Sequence, residues 1–360
     1  MKQLLLIGLS WLILCGLPLR PVTEVWFEKP GNVYTGEIIP VRKYTSYRRH
    51  EPVLELEKDY MERERIWYVS SDPAVIRVAG DGRLQAVGEG KAVVTGENAR
   101  GIRIERVFYV SRKLTLSFKR RQAVLGESER NLLETFGEPD VTGKSCYGEC
   151  SYLYWDEDEG ICIFYISQGK IAGFYTDVTE NLLRLSQIED SEDIAASACT
   201  VQYYTDQIED RPVGVRVLDT ALEYNQFDKT ILNYMEQEIF FLSNSLRIKY
   251  GYVPFKWSEK AAECAAVRSA EMAERDYFDH INPEGVTPFD RMKEAGISYQ
   301  SAGENIAAGY RDSVEVSFGW LNSPGHRENL MNHNFRFMGI GIEYAAYTEY
   351  GSYYTQMFYQ

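Results

Sequence analysis

Histidine is scarce in this 360-residue chain. There are four, and three of them (His280, His326 and His333) fall in the last quarter. Imidazole chemistry, acid–base or metal-binding, is therefore expected near the C-terminus. Cysteine is also sparse, and six residues are too few for a disulfide-dense scaffold. Beyond Cys15, the spacing of Cys146, Cys150, Cys162, Cys199 and Cys264 fits no standard zinc pattern. Cys264 lies among alanines and reads as a small core residue; Cys146 has Cys150 or Cys162 as an open choice of disulfide partner. Basic residues are outnumbered, 39 against 53 acidic, and the net charge of -14 argues against a nucleic-acid partner. No apolar run after residue 21 is long enough to span a membrane. What remains is an ordinary globular composition, 44% hydrophobic and 26% charged, at a length that suits two or three domains.

The first 21 residues are different in kind. Lys2 precedes an apolar run from Leu4 to Leu19, the pattern of a secretory signal. Leu17, Pro18 and Leu19 offer no small-x-small cleavage site, so an uncleaved N-terminal anchor is the alternative. Cys15 invites a lipoprotein reading, against which stands the large Leu14. Each reading puts the rest of the chain outside the cytoplasm, secreted or at the cell surface, with membrane contact only through this segment if it is uncleaved.

Residues 22–112 read as short strands joined by turns. Val75 to Val78 alternates, Asp81-Gly82 is a tight-turn dipeptide, Leu84 to Val87 resumes the alternation, and a last strand is expected from Arg103 to Val110. The spacing predicts an all-β antiparallel sandwich. The runs from Trp67 to Val78 and from Gly82 to Ala92 resemble the bacterial immunoglobulin-like domain, group 2, a family that implies a spacer or adhesive unit. His50, beside Arg48 and Arg49, reads as a solvated loop residue. Residues 113–215 read as α+β: Ser128 caps a helix that Gly137 ends, and aromatic strands follow around Tyr152 to Trp155, Ile161 to Ile166 and Ile171 to Tyr175. The order of Leu125-Gly-Glu-Ser, Phe136-Gly-Glu-Pro and Gly169-Lys-Ile-Ala-Gly-Phe-Tyr-Thr resembles the CAP-associated domain of secreted bacterial proteins. The polar stretch 178–225, densest in acid at Glu189-Asp-Ser-Glu-Asp, reads as a solvated connector or docking edge.

From 216 to 360, with a core from 232, helical spacing takes over. Met235, Ile239, Leu242 and Leu246 share a helix face. Ser258 is a predicted N-cap, Thr287-Pro288 and Gly296 bracket a short helix, and Ser313 and Ser323-Pro324 begin two more. Strands are expected from Met338 to Tyr347 and from Tyr353 to Tyr359. Four segments stand in order: Tyr277-Phe-Asp-His280, Gly303-Glu304-Asn305-Ile306, Trp320 through His326 to Asn329, and Gly339-Ile-Gly-Ile with Tyr354-Thr-Gln-Met-Phe. Together they resemble the CAP domain, found in plant pathogenesis-related proteins, venom antigen-5-type proteins and many bacterial secreted proteins. The resemblance implies an α-β-α sandwich and a cleft lined by two histidines and nearby acids that can hold a divalent metal. By motif, the cleft residues are His280, Glu304 and His326.

Two imidazoles and a carboxylate suit zinc with one open position, and without metal they suit general acid–base work. Many eukaryotic relatives carry a second acid three residues after the motif tryptophan, where this chain has Ser323. Glu284, Asp290 and Glu328 are candidates to replace it. His333, between two asparagines, reads as a loop residue, and Arg327 with Glu328 as a supporting ion pair. The incomplete acid set favours a binding module for a small apolar ligand, a lipid or another cell-envelope component, with a protein partner at the surface as a further expectation. The alternatives are a metal-assisted hydrolase acting on peptide or another envelope polymer, and a non-catalytic structural or adhesive protein.

Overall fold

The computed structural model describes residues 22–27, 33–34, 38–39, 41–46, 66–88, 90–98, 103–111, 114–189, 199–220 and 222–360. The segment read as an N-terminal signal or anchor, His50 and most of the acidic run after Glu189 lie outside the described residues. The chain forms two compact units, Met1–Val110 and Ser111–Gln360.

The described elements of the first unit are strands: β1 (Val22–Phe27), β2 (Val33–Tyr34), β3 (Ile38–Ile39), β4 (Val41–Ser46), β5 (Ile66–Ser70), β6 (Ile76–Val78), β7 (Leu84–Ala86), β8 (Gly90–Asn98) and β9 (Arg103–Ser111). They pair as β1-β4, β2-β9-β8-β5 and β3-β7-β6. Alternation works as the sequence suggests: Leu84 and Ala86 are buried and Gln85 between them is exposed. Ile76, Leu84 and Ala86 from one sheet meet Ala92, Val94, Phe108 and Val110 from another in a single core. Gly82, at φ 82°, makes the turn between β6 and β7.

In the second unit a hairpin of β10 (Thr115–Phe118) and β11 (Arg121–Val124) leads to helix α1 (Glu129–Phe136). The hydroxyl of Ser128 accepts from Asn131 N at 3.2 Å, and Gly137 follows the last turn at φ 78°. An antiparallel sheet follows in the order β12-β13-β14-β15-β17-β16. Its strands are β12 (Val141–Gly143), β13 (Cys150–Asp156), β14 (Gly160–Ser167), β15 (Lys170–Thr176), β16 (Cys199–Asp206) and β17 (Arg211–Asp219), with helix α2 (Thr179–Glu189) between β15 and β16. Residues 199–219, inside the stretch read as a connector, are thus two strands of the sheet. The acidic composition masked the pattern: Val213, Val215 and Val217 alternate into the core, while Glu209, Asp210 and Arg211 crowd one exposed turn.

Helix α3 (Lys229–Lys249) starts at the Asp228 cap and buries Met235, Ile239, Leu242 and Leu246, the expected face. These residues share one core with Leu153, Ile161 and Ile163 of the six-stranded sheet and with Ile340, Ile342 and Phe358 further on. The C-terminal elements are β18 (Lys256–Trp257), α4 (Glu259–Arg275), α5 (Pro288–Glu294), β19 (Ala302–Ala308), α6 (Ser313–Leu321), α7 (Pro324–Leu330), β20 (Phe337–Tyr344) and β21 (Ser352–Tyr359). The sheet order is β18-β20-β21-β19, with β18 parallel to β20 and the other pairs antiparallel. Helix α4 lies on one face of β20 and β21 and α3 on the other, giving the expected α-β-α arrangement. Gly339 and Gly341 explain how close α4 lies. A Cβ on Gly339 would sit 2.0 Å from Ala262 N, and one on Gly341 2.0 Å from Ala266 N. Among the described residues, no helix is long and apolar enough to cross a membrane.

The helix starts mostly follow the sequence signals. Ser258 caps α4, and Thr287 with Asp290 forms a capping box on α5. Asp312, not Ser313, caps α6, through Glu315 N at 2.9 Å. Ser313 is the first helical residue, and its hydroxyl instead binds the buried carboxylate of Glu238 on α3.

Candidate functional site

The three residues expected to converge come from three different elements. His280 lies in the loop between α4 and α5. Glu304 sits on β19, and His326 in the first turn of α7. The loop is held from behind: Arg291 donates to the His280 carbonyl at 3.3 Å and to Val286 O at 3.1 Å, and Asn282 donates to Glu271 at 2.7 Å. On β19, Gly303 leaves room for Asn329, whose side-chain oxygen would meet a Cβ there at 2.7 Å. Asn329 donates to the Glu304 carbonyl at 3.1 Å and to the Asn305 side chain at 2.9 Å. Asn305 donates in turn to the His326 carbonyl at 3.1 Å and to Gln356 at 3.1 Å. Both asparagines belong to the motif segments, but the sequence reading gave them no role. They tie the Glu304 strand to the His326 helix.

The side chains form two pairs. His280 Nδ1 lies 2.7 Å from Glu304 Oε1; the histidine side chain is 49% exposed and the carboxylate 2%. A carboxylate accepts, so Nδ1–H of His280 donates, and in the neutral ring Nε2 is then the nitrogen with the lone pair. The other carboxylate oxygen, Glu304 Oε2, is buried and has no hydrogen-bond partner among the described residues. His326 Nδ1 lies 2.7 Å from Ser323 Oγ. Ser323 is the N-cap of α7 yet makes no capping bond, so its hydroxyl is turned to the imidazole. A hydroxyl can donate or accept, and either tautomer of His326 is compatible. Burial, with the nearby charge of His280 second, lowers the pKa of His326 below the ordinary histidine range.

Two of the three candidates for the expected second acid are engaged elsewhere. Glu284 is bound by Arg275 at 2.6 and 2.7 Å, and Asp290 is held by Thr287 at 2.6 Å. No group of three or more His, Cys, Asp or Glu side chains is placed to hold a metal ion among the described residues. The pairing explains this in part, since His280 Nδ1 and Glu304 Oε1 are committed to each other. Cys146, Cys150 and Cys162 are free thiols, so none of them forms the disulfide left open by their spacing, and Cys264 is a buried core thiol.

The six-stranded sheet buttresses the His326 side of the site. Arg216 on β17 is buried and donates to Asp312, the α6 cap, at 2.5 Å; Tyr147 OH reaches the same carboxylate at 2.9 Å. The Asn322 side chain, between α6 and α7, accepts from Gln207 N at 2.8 Å and donates to Thr205 O at 3.0 Å. Arg327 pairs with Asp206 at 2.9 Å and Glu209 at 3.0 Å rather than with Glu328, its expected partner. Residues 96 to 165 positions apart make these contacts, which is why local sequence patterns missed them.

Residues 240–358 match the family described as CAP, the cysteine-rich secretory protein family. The chain is 43% identical over 123 residues to the uncharacterized protein YkwD of Bacillus subtilis (strain 168), covering 34% of this chain and 46% of that protein. It is 31% identical over 169 residues to the uncharacterized membrane protein YlbC of the same strain, covering 41% and 49%. The chain thus spans about half the length of the curated relatives it matches. Among solved structures it resembles an extracellular protein containing an SCP domain from Bacillus anthracis str. Ames, with a TM-score of 0.55 and 27% identity over 66% of this chain and 93% of that one. A cysteine-rich secretory protein from Staphylococcus aureus subsp. aureus Mu50 shares the fold, with a TM-score of 0.53 and 17% identity over 65% and 91%. In both cases the likeness extends beyond the residues matched by the family. Motif order, α-β-α architecture and these matches agree: the C-terminal domain of this chain is a CAP domain of the cysteine-rich secretory protein family.

Proposed function

We propose that this is an extracellular or cell-surface CAP-domain protein whose cleft binds a small apolar ligand, lipid or other envelope component through a polar head group. The observation that carries the reading is the unfilled acceptor at Glu304 Oε2, buried beside a half-exposed His280. A buried acceptor without a donor is costly, and a hydroxyl or amide on a ligand would satisfy it. His280 Nε2 and the His326 ring supply further polar contacts. The extracellular placement is supported by the secretion-like N-terminus and by the extracellular relative from Bacillus anthracis. The N-terminal β-rich unit is read as an immunoglobulin-like spacer, and the middle sheet as a CAP-associated support for the cleft. A fluorescent fatty-acid probe and vesicles of bacterial phospholipid test this. Binding should fall about tenfold in His280→Ala and His326→Ala, and unchanged binding in both variants would count decisively against the cleft.

A second reading is favoured by one contact. An imidazole oriented by a buried carboxylate at 2.7 Å is the arrangement of a general base with its orienting acid. Hydrolysis of peptide or peptidoglycan that disappears in Glu304→Gln would support it, whereas turnover surviving that substitution would sink it.

A further inference from the structure

Strand β16 and helix α6 do not close on each other completely. Between them is an open cavity of about 470 Å³, within the roughly 300–1,000 Å³ of small-molecule sites. Four aromatic residues are among those that line it: Tyr203 and Tyr204 from β16, Phe318 from α6, and Tyr310 from the loop before α6. Tyr204 and Phe318 stack, with ring centroids 4.7 Å apart and planes 27° apart, which fixes the wall where the two elements meet. Tyr310 lies over the helix because position 319 is glycine; a Cβ there would meet the Tyr310 hydroxyl at 2.2 Å. Two polar groups enter the same space. Gln207 is exposed at the end of β16, and Glu315 on α6 is steadied from behind by Arg216 at 3.4 Å.

Among the described residues, the lining contains no lysine, arginine or histidine. An anionic ligand would find no cation there and would meet the Glu315 carboxylate. A purely apolar ligand would use neither that carboxylate nor the Gln207 amide. Aromatic faces combined with an amide and a carboxylate suit a sugar ring. Its C–H face stacks on an aromatic ring, and its hydroxyls donate to a carboxylate and exchange hydrogen bonds with an amide.

We propose that this cavity is a glycan-binding site for a neutral oligosaccharide, separate from the histidine cleft. Tyr310 and Tyr203 act as stacking platforms, and Gln207 and Glu315 read the hydroxyls. Ser323 lies at the rim of the cavity, and its hydroxyl holds His326. One residue thus links the two sites.

The test is isothermal titration of the full chain with tetra-N-acetylchitotetraose and with maltotetraose. Saturable binding of either is expected, weakened about tenfold by Tyr310→Ala. Gln207→Ala, at an exposed position whose backbone contact to Asn322 is retained, should weaken it several-fold with the melting temperature unchanged. His280→Ala should leave it as it was. Two results would overturn the proposal: neither sugar binding at concentrations up to about 10 mM, or binding lost in His280→Ala and intact in the other two variants. The second would place the sugar in the histidine cleft, so failure of this site and failure of the cleft reading are told apart.

Discussion

The two histidines of the CAP domain have unlike neighbours. His280 sits on a loop and leans on a buried carboxylate. His326 sits on a helix and leans on a neutral hydroxyl. Glu304 dictates which nitrogen of His280 carries the proton, whereas Ser323 dictates nothing about His326. Ser323 therefore does more than leave His326 without a carboxylate neighbour. It leaves one imidazole with a fixed hydrogen-bonding role and the other with a role its ligand can choose. The two sides also differ in what supports them. His280 is braced within the CAP domain by Arg291 and Glu271, and the helices around His326 by strands of the preceding sheet.

The largest test of this contrast is Arg216→Ala. It leaves Asp312 buried without its cation, and a broken buried ion pair costs ~3–5 kcal/mol. Denaturant unfolding should show that loss, and side-chain NMR signals of His326 should move more than those of His280. A loss under ~1 kcal/mol, the scale of a surface pair, would mean that the sheet does not brace α6. Ser323→Ala is smaller. Removing one hydrogen bond costs ~0.5–1.5 kcal/mol, with the change confined to His326. Nitrogen-15 spectra sharpen the comparison directly: native His280 should show one tautomer and His326 a mixture, and Glu304→Ala should release His280 into a mixture too. Equal tautomer populations in the native protein at both rings would break the distinction.

The smallest effect is in pH. The pKa of His326 is lowered on folding, by burial first and then by the charge of His280. Between its unfolded value near 6.5 and its lower folded value, the unfolded chain binds more protons, so stability falls as the pH drops through that window. The His326 titration midpoint by NMR should lie below 6.5, and His326→Gln should remove this part of the acid sensitivity.

Much of this was legible in the sequence, because capping residues and apolar faces act over a few positions. Ser128, Ser258 and Thr287 cap the helices they were expected to cap, and the face of α3 is the predicted one. The His280–Glu304 pair came from motif resemblance rather than from spacing, since a loop and a strand 24 residues apart carry no periodic signal. Ser323 was read as a missing acid and a cap; its bond to His326 depends on a side-chain rotation that no pattern records. Arg216 and Asp206 stood in a stretch judged by its charge, and charge does not reveal which acid or base has a partner across the fold. The valines at 213, 215 and 217 did carry a strand signal, and net composition obscured it.

The glycines at 339 and 341 have a consequence for the site's precision. They make β20 a slot into which the backbone of α4 seats at two adjacent turns. A slip of one residue in either element would put a side chain where there is no volume, so only one seating exists. The far end of α4 launches the His280 loop, and Glu304 stands on the same sheet as the slot. The distance between the two functional groups is therefore gauged by two absent methyl groups, well away from the chemistry they align.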